Sequence, residues 1–66
     1  MNADQVAFNR RYIRDAQAQI ATLKEEMANP RARAAKNRTR AAAIEQHQAA
    51  IAGCLKRLFD AGQIAV

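Results

Sequence analysis

A strict 3-4 repeat of mostly apolar residues runs through the first 28 residues. Val6, Asn9, Ile13, Ala16, Ile20, Leu23 and Met27 follow one another at steps of 3, 4, 3, 4, 3 and 4. That is the seam of a helix built to lie lengthwise against another helix, as in a coiled coil. The alanine, glutamine and glutamate between these positions are good helix formers. Asn2 and Asp4 are candidate caps, and the pattern predicts a helix from about residue 3 to residue 28.

The second half carries a similar stripe. Ala41, Ile44, Gln48, Ile51, Leu55 and Leu58 step by 3, 4, 3, 4 and 3, and Gly62 follows as a natural C-terminal stop. Lys56 and Arg57 fall in the last turns, where positive charge suits the helix dipole. A second helix is expected over at least residues 39–61. The only sharp break between the stripes is Asn29-Pro30. Proline disfavours a helical conformation at the residue before it, yet suits the first position of a helix. Two starts for helix 2 therefore stand open, at Pro30 or after a basic turn segment over about 29–38. Either way the fold class is all-α: one antiparallel, coiled-coil-like helical hairpin over residues 1–66. Facing the stripes pairs Met27 with Ile44, Ile20 with Ile51 and Asn9 with Gly62. A seven-residue slip is the alternative, and turn length decides between them.

The core of such a hairpin is thin. Half of the 66 residues count as apolar, but 17 of those are alanine and only 16 are larger. A domain this small usually needs a disulfide, a metal or self-association. One cysteine, Cys54, forms no intrachain disulfide, and one histidine with one cysteine is too few for a structural zinc site. Self-association into a helical bundle remains, as a dimer or higher oligomer. Its expected interface residues are Phe8, Ile13, Ile20, Ile51, Leu55 and Phe59, because one hairpin cannot cover both the seam and the strip beside it. Asn9 and Gln48 sit in the seam as polar residues. They either reach water near its edges or fix register at some cost in stability.

The charge is concentrated. Residues 31–40 carry Arg31, Arg33, Lys36, Arg38 and Arg40 and no acid, which equals the chain's whole net charge of +5. Cations at a helix start oppose the dipole, so stability alone would favour acids there. The arrangement makes sense if an anion occupies the site. The bland alternatives are a solvated turn that keeps an alanine-rich oligomer soluble, or pairing with Glu25 and Glu26. Arg10 and Arg14, beside Tyr12, form a smaller candidate contact site.

Enzyme chemistry has little to stand on. The chain has no serine and two glycines, and His47 and Cys54 are seven residues apart. On a helix that is about 10 Å, too far for thiolate activation. No cofactor or metal is expected. There is no long apolar span, no secretory leader pattern and a single cysteine, which favour a cytoplasmic protein. The expected function is a non-enzymatic homo-oligomeric binding or inhibitor module. Its basic segment would capture an anionic partner: nucleic acid, a phosphorylated nucleotide-type ligand or an acidic protein surface. The alternatives are a protein–protein adaptor or inhibitor of the small phage or plasmid regulator kind, acting through its helix faces, and a structural coiled-coil piece.

Overall fold

In the computed structural model the chain is a two-helix hairpin, and the structure describes residues 1–64. The last two residues of the expected 1–66 domain lie outside the described residues. Helix α1 spans Ala3–Ala28 and helix α2 spans Ala34–Asp60. They form a rod with extents of 45 × 17 × 14 Å. No described helix is long and apolar enough to cross a membrane.

The start of α1 is a complete capping box. The Asn2 side chain accepts from the Gln5 backbone N–H at 2.8 Å, and the Gln5 side chain accepts from the Asn2 N–H at 3.0 Å. Two of the N–H groups that a helix start leaves open are satisfied in this way. At the other end Asn29 leaves the helix with an extended backbone, as a residue before proline must. The Asn29 carbonyl then accepts from the Ala32 N–H at 2.9 Å, closing a turn with Pro30 at its second position. So Pro30 does not open α2. The helix begins at Ala34, between the two expected starts.

α2 stops at a Schellman motif. Gln63 donates to the Leu58 carbonyl and Gly62 to the Phe59 carbonyl, both at 2.9 Å. Gly62 has φ +75°, which a residue without Cβ adopts at little cost.

The seam of α1 matches its repeat. Asn9 and Ala16 are buried, and Val6, Ile13, Ile20, Leu23 and Met27 are half-buried. The seam of α2 differs from expectation at alternate positions. Ile44, Cys54 and Leu58 are buried and His47 and Ile51 half-buried, whereas Gln48 is exposed and Leu55 is 43% exposed. Between Ile44 and Ile51, and again between Ile51 and Leu58, a step of three or of four reaches the same side of a helix. The larger residues argue for the step of four. The packed hairpin uses the step of three in both intervals, the same phase as α1.

The register also differs from the expected one. Arg57 meets Asn9 and Arg40 meets Glu26, so Asn9 does not lie opposite Gly62. These contacts lie five residues from the first pairing and two from the seven-residue slip, so they favour the slip, as the short turn over residues 29–33 requires. Ile13, Ile20 and Ile51 lie in the seam of the chain's own hairpin. Phe8, Leu55 and Phe59 remain on its outside, 66%, 43% and 48% exposed.

Candidate anion-binding turn

The turn and the first helical turns of α2 present most of the basic segment on one concave surface. Arg31, Arg33, Lys36 and Arg40 line a depression of about 240 Å³, with Asn29, Ala32 and the Glu26 carboxylate on its wall. Local chemistry sets this shape. The Asn29 side chain accepts from the Arg31 N–H at 2.9 Å, which folds the chain back immediately after the proline. Arg33 is the N-cap of α2, and no side chain caps the helix there. The first turn holds Ala34, Ala35 and Lys36 and no acid. Its open N–H groups and the positive end of the dipole therefore share one end of the hairpin with the arginines.

The five expected site residues do not behave alike. Arg40 is committed to the fold. Its Nε donates to Glu26 Oε2 at 3.0 Å and its Nη1 to Asn37 Oδ1 at 2.8 Å. This pair ties α2 to the end of α1. Its side chains are 22% and 47% exposed, which limits it to roughly 1 kcal/mol or less. Arg31, Arg33 and Lys36 are exposed cations on the lining of the depression. Arg38 is exposed and does not line it. Glu26, expected as one pairing partner of the basic segment, and Asn29, expected only at the break, also belong to the depression. The signal for Glu26 was its closeness to the break, since a hairpin brings the last turn of α1 beside the first turns of α2.

The smaller basic site divides between two surfaces. Arg10, Arg11 and Arg14 line a shallow surface with Ala7, and Arg10 Nη2 donates to the Gln63 carbonyl at 3.4 Å. Tyr12 is not among them. It stacks near Phe8, ring centroids 6.4 Å apart, beside Ala49, Ala50, Gly53, Cys54 and Arg57. Arg57 sits between this aromatic pair and the seam. Its Nε donates to Asn9 Oδ1 and its Nη2 lies 3.2 Å from the Cys54 sulfur. Asn9 completes its own bonding by donating to the Gln5 carbonyl at 2.8 Å. Among the described residues no buried side-chain nitrogen or oxygen lacks a partner, and no three of His, Cys, Asp and Glu gather as metal ligands.

The depression offers cations and helix N–H donors, the chemistry that holds phosphate or carboxylate oxygens. Comparison with protein-family models, with curated proteins and with solved structures finds no match to this chain.

Proposed function

We propose that the protein is a non-enzymatic, self-associating binding module that captures a phosphate-bearing ligand at the turn between its helices. The convergence of Arg31, Arg33 and Lys36 on one depression at the uncapped start of α2 carries this reading. Cations placed there weaken the helix, and a bound anion reverses that penalty. No aromatic residue lies in the segment 31–40, so base stacking has no platform there. Contacts to phosphate then dominate, and either nucleic acid or a small phosphorylated nucleotide meets the requirement. The lone cysteine favours the cytoplasm as its compartment.

Isothermal titration with a single-stranded oligonucleotide and with a nucleoside triphosphate tests the site. The combined variant Arg31→Gln, Arg33→Gln, Lys36→Gln should lose at least about tenfold in affinity, near 1.4 kcal/mol. Arg38→Gln alone should lose far less, because Arg38 is off the lining. A nucleic-acid ligand adds a steep fall of log affinity with log salt. A triple variant that binds as tightly as the parent overturns the site.

A second reading has its own observation. Phe8, Tyr12, Leu55 and Phe59 are more than 40% exposed, as anchors of a protein–protein contact would be. An adaptor or inhibitor working through these faces would use the basic turn only to steer encounter.

A further inference from the structure

One edge of the hairpin carries both a projection and a recess. Near the start of α1 the rings of Phe8 and Tyr12 stand out, 66% and 42% exposed. Farther along, Ala18, Thr22 and Leu23 of α1 and Ala43 and His47 of α2 line a shallow, open and largely apolar recess of about 380 Å³. Both features belong to the same edge. Phe8, Tyr12, Gln19 and Leu23 recur at four, seven and four residues, the spacing of one helix side. On α2, Ala50 borders the aromatic pair and Ala43 borders the recess, two turns away on the same stripe. Leu55 and Phe59 border neither.

A projection and a recess on the same edge of one chain are what an isologous interface uses, since each copy offers both halves. We propose that two hairpins pair antiparallel along this edge about a two-fold axis, each seating Phe8 and Tyr12 in the Thr22–Ala43 recess of the other. The axis passes near Ala16, midway between projection and recess. Ala16 is also close to the middle of α1, so the two rods overlap along almost their whole length.

Area argues for a second copy as the occupant. The chain exposes 5139 Å² for a mass of 7.3 kDa, whereas size scaling gives roughly 4,200 Å² for a folded monomer. The surplus of roughly 1,000 Å² follows from the narrow rod shape, and it is surface that a second rod laid lengthwise can cover, where a standard interface takes roughly 800 Å² per partner. An unrelated partner would have to match the projection and the recess separately, whereas a second copy supplies both. The pairing also sets the two basic turns at opposite ends of the dimer, so each anion site belongs to one chain. This inference rests on the self-association part of the proposed function and is independent of its anion site.

Sedimentation equilibrium with charge-swap variants tests it. Tyr12→Arg and Thr22→Glu alter exposed positions and should leave helicity unchanged. Each alone should raise the dimer dissociation constant at least 100-fold. An equimolar mixture should dimerise again, because the introduced cation and carboxylate then face each other while the second contact stays native. Leu55→Lys with Phe59→Lys should leave the dimer intact. If that pair dissociates it and the edge variants do not, the edge is wrong and self-association survives. A parent chain that stays monomeric at millimolar concentration overturns self-association itself, while anion titration still reports on the turn.

Discussion

Arg57 reaches from α2 to α1 and donates from Nε to the Oδ1 of Asn9, 3.3 Å away. With Arg40 and Glu26 at the other end, it gives the hairpin a polar tie at each end of an apolar middle. The two ties belong to one register only, so they bear on specificity as well as on stability.

Asn9→Leu is expected to raise stability by about 1 kcal/mol, because it adds apolar area at a buried position and Arg57 is exposed enough to return to water. Gln48→Leu is expected to change it by less than about 0.5 kcal/mol, because Gln48 is on the surface. Urea melts at one protein concentration compare them. A destabilised Asn9→Leu beside a neutral Gln48→Leu would make the Asn9–Arg57 contact a net support of the fold.

Leu58 and Leu55 look equivalent by spacing but are 1% and 43% exposed. Leu58→Ala should cost about 3 kcal/mol, enough to unfold much of so small a domain. Leu55→Ala should cost under about 1 kcal/mol. Thermal melts followed by circular dichroism read the difference, and similar losses would contradict the phase of α2.

The two glycines should respond in opposite directions. Gly62→Ala meets no atom within 4 Å, so its cost of about 1 kcal/mol comes from the positive φ alone. Gly53→Ala lies inside α2, where its Cβ meets only Arg57 Nη1 at 3.7 Å. It should stabilise the helix by about 0.5–1 kcal/mol. Thermal melts of the two single variants decide, and a stabilising Gly62→Ala would contradict the Schellman end.

Arg33→Asp separates folding from binding. A carboxylate at the N-cap satisfies open N–H groups and suits the dipole, so stability should rise by about 1 kcal/mol. The same change places a negative charge on the depression, and phosphate affinity should fall at least about tenfold, near 1.4 kcal/mol. A variant that is more stable and binds as well as the parent would separate the depression from the ligand.

Much of the hairpin was legible because its signals are local. The bounds of α1 follow from Asn2, the repeat and Asn29-Pro30, and the end of α2 follows from Gly62. The phase of α2 was not legible. Leu55 is more apolar than Cys54 and Gln48 no more polar than His47, so residue type favoured the wrong step at both places. The step is settled by which residues of α2 face α1 once the helices pack, a tertiary relation that no single residue announces. The basic segment was plain in sequence. Its division was not: Arg40 is taken by Glu26 across the hairpin and Arg38 lies outside the depression.

The shape of the rod has a hydrodynamic consequence. A 45 Å body only 17 × 14 Å across tumbles anisotropically and drags more than a sphere of its mass. A second copy laid alongside doubles the mass and thickens the body while hardly lengthening it. Assembly would then lower the frictional ratio as the mass rises, whereas joining end to end would raise both. Sedimentation velocity therefore reports how the copies meet as well as whether they do.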